Sequence, residues 1–145
     1  MSRTDTQRGL LDTSTVILLD RLDNPSELPR VPVISAITLA ELSVGPLVTM
    51  DDAEQAVRQG HLQRAEADFE PLPFDVDAAR AFGRVGASLR RAGRKVEART
   101  YDAMIAATAV ANQLPLYTVN PADFAGIDAL DVRAVTHPDR QDRYG

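Results

Sequence analysis

The sequence contains no cysteine, only two histidines, one lysine (Lys95) and no apolar run long enough to span a membrane. Without cysteine there is no disulfide framework, no thiolate zinc site and no thiol nucleophile. The two histidines, His61 and His137, fall in a polar helical pattern and in a charged tail. A G-x-S-x-G segment is also missing, so acyl-transfer chemistry on a serine is set aside. The first residues, Met1 to Arg8, are polar and lack a secretory apolar stretch, so a soluble, cytoplasmic protein without membrane association is expected. Positive charge is in short supply: 16 basic residues against 21 acidic ones give a net charge of -5. Nucleic acid is therefore not held by bulk attraction alone.

What is present suits one compact domain. The 145 residues, 44% of them hydrophobic, bury a core without cross-links. A single domain over residues 1–145 is expected, with a polar extension at 1–8 and a charged, loosely held tail at 137–145. Leu10 and Leu11 read as the end of a buried strand, and a helix follows from about Thr15 to Leu22, stopped by Asp23-Asn24-Pro25-Ser26. Val31 to Ile34 predicts a second strand, in which Pro32 points to a late start or an edge position. Ser35 caps the helix Ile37 to Val44. Asp51 to Phe69 predicts an exposed helix or helix pair, and Pro71 to Phe74 a brief strand. Ala78, Phe82, Val85 and Leu89 mark an amphipathic helix that Gly93 ends. A helix from Asp102 to Ala111, apolar nearly all round, precedes strands at Leu116 to Val119 and Val132 to Val135. Alternating strands and helices imply an α/β sandwich with a mainly parallel sheet.

In such a fold ligands bind beyond the carboxyl ends of the strands, and four acids fall on that edge. Asp12 follows the first strand; Glu41 interrupts the apolar stripe of the helix after the second; Asp123 follows the Leu116 strand. Asp102 starts a crossover helix that runs antiparallel to the strands, so its N-terminus lies over the same edge. Each acid has a plainer explanation: Asp12 and Asp102 as helix caps, Asp123 in an Asx turn, Glu41 in an ion pair with a buried arginine. Ser14 and Thr118 are likewise explained by capping and strand propensity. Together, however, crowded carboxylates repel unless a cation joins them. Oxygen ligands alone select Mg²⁺, with Mn²⁺ as the alternative, and such a centre activates water for attack on a phosphodiester. One segment is locally basic. Arg84, Arg90, Arg91, Arg94, Lys95 and Arg99 face only Glu97, which reads as a solvated helix face or as a source of charge for an RNA backbone.

Four segments, Leu11-Asp12-Thr13-Ser14, Ser35 to Leu42, Tyr101 to Ala109 and Thr118 to Phe124, resemble in order and spacing the PIN-domain ribonucleases, and within them the VapC-like toxins of bacterial toxin–antitoxin pairs. The resemblance implies a three-layer α/β/α sandwich and a metal-dependent endoribonuclease toxin neutralised by a cognate VapB-like antitoxin. It implies Asp12, Glu41 and Asp102 as catalytic metal-binding acids. The fourth acid lies in related sequences at the position of Asn120 or of Asp123; with Asn120 neutral here, Asp123 is taken. Ser14, Thr118 and Asn120 match supporting positions, and Arg90, Arg91, Arg94, Lys95 and Arg99 become candidates for holding RNA. A homodimer is implied, as is contact with promoter DNA only through the antitoxin. Two alternatives stay open. Asp12-Thr13-Ser14-Thr15 resembles the nucleophile motif of haloacid-dehalogenase-like phosphatases, although Ser14 stands where a second Asp is expected and Lys95 is the only lysine available. A catalytically silent PIN-type binding module is the other, suggested by Asn120.

Overall fold

The computed structural model describes residues 7–141. Its centre is a five-stranded sheet in the order β3-β2-β1-β4-β5, parallel at every pairing. The strands are β1 (Arg8–Leu11), β2 (Val31–Ser35), β3 (Pro71–Leu72), β4 (Leu116–Thr118) and β5 (Val132–Ala134). Around them lie α1 (Thr13–Ile17), α2 (Ala36–Val44), α3 (Asp52–Asp68), α4 (Val76–Arg91), α5 (Thr100–Ala111) and α6 (Pro138–Gln141). Strand periodicity sends alternate side chains to opposite faces and so divides the core. Leu10, Val33 and Leu116 pack with Ala81, Val85 and Leu89 of α4 and with Ile105 and Ala109 of α5. Leu11, Ile34 and Tyr117 pack on the other face with Val16 of α1, Leu42 of α2 and Ala65 of α3. The expected three-layer α/β/α sandwich is thus present.

Several local expectations shift. Pro32 neither delays β2 nor puts it on an edge, because β2 starts at Val31 and lies between β1 and β3. The reason is register. The N–H of Val31 points to β1, bonding the Gln7 carbonyl at 2.8 Å, so the nitrogen of Pro32 points to the β3 side. There, β3 reaches only Ile34 and Ser35, and the missing donor of Pro32 has no strand to face. The polar stretch from Asp51 forms one helix, α3, continuous through Gly60. Strand β1 already begins at Arg8, inside the expected polar extension, whose first six residues lie outside the described ones. Of the tail, residues 138–141 form α6, joined to the body by an ion pair between Arg21 and Asp139.

Two glycines fix the loops beside the site. Gly93 takes φ +77 just after α4, and the Gly93 and Arg94 N–H groups bond back to the carbonyls of Arg90 (3.0 Å) and Leu89 (2.8 Å). This closes the helix with a left-handed cap. Gly126 takes φ +88 where a Cβ would stand 2.9 Å from the Cβ of Ala92, so the loop after β4 packs directly against the end of α4.

Candidate active site

Strand β1 ends at Leu11, and the next residue, Asp12, caps α1. Asp12 is only 3% exposed, and both carboxylate oxygens are engaged. Oδ1 accepts the Thr15 N–H at 3.3 Å and the Thr15 hydroxyl; Oδ2 accepts the Thr118 hydroxyl at 2.9 Å. The same threonines order the next strand end, because Thr15 Oγ1 accepts the Val119 N–H (3.1 Å) and Thr118 Oγ1 accepts the Asn120 N–H (2.9 Å). Capping and membership of an acidic cluster are therefore not alternatives for Asp12: one side chain does both. Glu41, in the second turn of α2, accepts the Thr13 hydroxyl at 2.6 Å. Thr13 is also 3.0 Å from the Thr38 hydroxyl, and since its own proton goes to Glu41, Thr38 must be the donor of that pair. A cleft of about 390 Å³ opens beside Glu41, lined by Thr13, Ile17, Leu42, Arg58 and His61.

Asp102 stands in the first turn of α5, and Asp123 in the 3-10 turn Pro121–Phe124 after β4. Convergence of the four acids is visible in their electrostatics. Burial first, then the charges of Asp123, Asp12 and Glu41, raise the Asp102 carboxyl from 3.8 to about 6, with Arg99 opposing. Burial raises Glu41 as well, against the pull of the Thr13 hydrogen bond and with help from the Asp12 charge. Asp12 is raised by burial in spite of the bonds from Thr15 and Thr118. A carboxyl raised in the fold stabilises it below its ordinary pKa, and that contribution is lost as pH climbs through the folded value. In denaturant titrations between pH 4 and pH 7, the native chain should lose about 1–2 kcal/mol relative to Asp102→Asn, a size discounted for the half-exposed position of Asp102. No change in this difference across the range would show that the four charges do not feel one another.

The donor set fits a hard divalent cation: four carboxylates, no thiol in the chain, and acids whose mutual repulsion a cation relieves. Among the described residues no three acid or imidazole groups already stand as a formed ion cage. Asp102 and Glu41 are only half-buried, so side-chain rotation remains open to them.

The supporting residues sort differently from expectation. Thr118 bonds Asp12 directly, and Asn120 bonds Thr118 through its backbone N–H. Ser14 is half-buried, and no hydrogen bond from its hydroxyl to a described acid is present. The hydroxyls bonded to the acids on this side are those of its neighbours Thr13 and Thr15, with Thr38 behind Thr13. Their signal was the run of three hydroxyls after Asp12, which reads equally as capping. The basic residues separate too. Arg91 pairs with Asp128 at 3.1 Å, Arg99 with Asp123 at 3.3 Å, and Arg94 donates to the carbonyls of Ala122 (3.1 Å) and Ala125 (2.7 Å). Arg90 and Lys95 stay exposed, beside a cleft of about 560 Å³ shared with Arg94, Val96 and Glu97. Among the described residues no helix is long and apolar enough to cross a membrane.

Comparison with known proteins places these features. Residues 10–130 match the family described as PIN domain. The chain is 38% identical over 122 residues to Ribonuclease VapC5 of Mycobacterium tuberculosis, covering 83% of this chain and 87% of that protein. It is 33% identical over 101 residues to Ribonuclease VapC8 of the same species, covering 70% and 89%. Among solved structures it resembles VapBC-5 of M. tuberculosis, a member of the VapBC family of toxin–antitoxin systems, with TM-score 0.77 and 36% identity over 89% of this chain and 99% of that one. DNA-bound VapBC from Salmonella typhimurium aligns with TM-score 0.67 and 26% identity over 88% and 97%.

Proposed function

Since the chain belongs to the PIN-domain family, among its VapC-type ribonucleases, we propose that it is a Mg²⁺-dependent endoribonuclease toxin, silenced by a VapB-like antitoxin. The observation that carries this is the convergence of Asp12, Glu41, Asp102 and Asp123 from four separate segments, where burial first and then the mutual field of the acids raise Asp102 to about 6. These four side chains would hold the ion, Mg²⁺ or alternatively Mn²⁺. When bound, the ion supplies positive charge to a phosphodiester and acidifies a water for attack on it. The rest of the work falls to the chain. Thr15 and Thr118 fix Asp12 in one orientation and oppose the upward push of burial on its carboxyl, since each bond favours the carboxylate over the acid. Thr13, held by Thr38, does the same for Glu41. Arg90 and Lys95, exposed at the cleft they share with Arg94 and Glu97, would offer charge to the RNA backbone.

The proposed partners follow the VapBC neighbours: an antitoxin covering the acidic site, promoter DNA reached only through that antitoxin, and a second copy of this chain in a homodimer. The phosphatase alternative fits poorly. Ser14 stands where its motif needs a second Asp, and Lys95, the only lysine, lines a cleft that does not include Asp12. A silent module is disfavoured by the four acids that remain despite Asn120.

The decisive experiment incubates antitoxin-free protein with total RNA, with Mg²⁺ or with EDTA, beside Asp102→Asn. Discrete fragments are expected only from the native chain with metal. Identical products from Asp102→Asn would point to a contaminating nuclease, and phosphate release from small esters through a phosphorylated Asp12 would revive the phosphatase.

A further inference from the structure

We infer that Arg99 is the built-in counter-charge of the acidic cluster: its guanidinium holds Asp123 while the site is metal-free and competes with a divalent cation for that carboxylate. The inference rests on the metal-dependent function proposed above. Arg99 closes the 3-10 turn Glu97–Arg99 directly before α5, three positions ahead of Asp102. Its Nη1 lies 3.3 Å from Asp123 Oδ1, and its charge also acts on Asp102. It is, among the described residues, the basic side chain that forms an ion pair with a member of the four-acid cluster.

Three features suit Arg99 to give way. The contact is a single one between side chains 34% and 44% exposed, a geometry in which ion pairs are weak. A guanidinium does not lose its proton, so release occurs by displacement, and a divalent ion brings twice the charge to the same carboxylate. Finally, Asp123 does not depend on Arg99 for its place. Arg94 donates to the carbonyls of Ala122 and Ala125, on either side of Asp123, and Gly126 seats the same loop against Ala92. Neighbouring arginines thus divide the labour. Arg94 fixes the backbone of the turn, whereas Arg99 neutralises the side chain it presents. Once displaced, the Arg99 guanidinium remains next to the acids, where an RNA phosphate would take the place of the lost carboxylate.

The test is Mn²⁺ binding by calorimetry at low salt to the full chain in four forms: native, Arg99→Gln, Asp123→Asn and the double variant, each checked for folding by circular dichroism. Arg99→Gln is expected to tighten Mn²⁺ binding roughly two- to five-fold, the range that an exposed pair of this kind supports. In the Asp123→Asn background that gain should largely disappear. An equal gain in both backgrounds would reduce Arg99 to a remote charge and overturn the inference. So would weaker binding by Arg99→Gln, which would make Arg99 an organiser of Asp123. A native chain that binds no Mn²⁺ at all removes the metal-dependent function itself, together with the competition, and is told apart from both.

Discussion

Asp102→Asn is expected to lose Mg²⁺-dependent RNA cleavage by roughly a thousand-fold or more, while melting about 2–4 °C higher than the native chain in the absence of metal. Both effects come from one property. Asp102 occupies a half-buried position in the field of three other carboxylates, which raises it to about 6 and makes its charge unfavourable to the metal-free fold at neutral pH. Asn keeps the size and removes the charge, so the repulsion ends; part of the gain is offset because an acid in the first turn of α5 also interacts favourably with the helix N-terminus. A net effect of about 1 kcal/mol remains. The same exchange takes one anionic ligand from the proposed metal site, where charge is the basis of affinity and of catalysis. Opposed changes in stability and activity are the signature of a residue kept for function. A variant that cleaves RNA at the native rate would exclude Asp102 from the site. One that melts well below the native chain would assign it a structural role instead.

Thr118→Val should cost about 2–3 kcal/mol of stability, read as a lowered denaturant midpoint. Valine matches threonine in shape and suits a strand, so β4 itself is not disturbed. A buried carboxylate oxygen and a part-buried N–H each lose a hydrogen bond, however. Asp12 Oδ2 loses the hydroxyl at 2.9 Å that is its hydrogen-bond donor, and the Asn120 N–H loses the acceptor that turns the chain toward Asp123. Burial already raises Asp12, and removing a bond that favours its charged form raises it further. Metal affinity should therefore fall by about ten- to a hundred-fold, as expected when a ligand loses the group that orients it. Thr118→Ser, which restores the hydroxyl, should recover most of both losses. If Thr118→Val and the native chain share a midpoint, the link between β1 and β4 through this hydroxyl carries no weight.

The layered α/β fold was legible because its signals are local and repeated. Apolar strands of two to five residues alternate with helices bounded by Asn24-Pro25, Gly45-Pro46 and Gly93, and such punctuation acts through the backbone wherever it occurs. Pro32 was misread for the opposite reason. Whether a proline can sit inside a sheet depends on which side its nitrogen faces and how far the neighbouring strand extends, and β3 is only two residues long. Gly60, too, was an ambiguous break, since nothing in the one-dimensional pattern said that α3 would run through it.

By itself, then, the sequence determined the chemistry available at the carboxyl edge of the sheet. With no cysteine, an excess of acid, and Asp12, Glu41, Asp102 and Asp123 at or near the carboxyl edge of the sheet, topology alone brings four carboxylates together. Tertiary structure decided what surrounds those acids. Many of the hydroxyl and guanidinium groups find partners in segments 24 to 106 positions away, as between Arg99 and Asp123 or Asp12 and Thr118. No local pattern distinguishes Thr13 and Thr15, which support Glu41 and Asp12, from Ser14 between them. Nor does composition separate the arginines of one basic stretch into Arg91, tied to Asp128, Arg94, clamping the turn of Asp123, and Arg99, neutralising Asp123 itself. Charge is a property of the residue, but its partner is set by three-dimensional proximity.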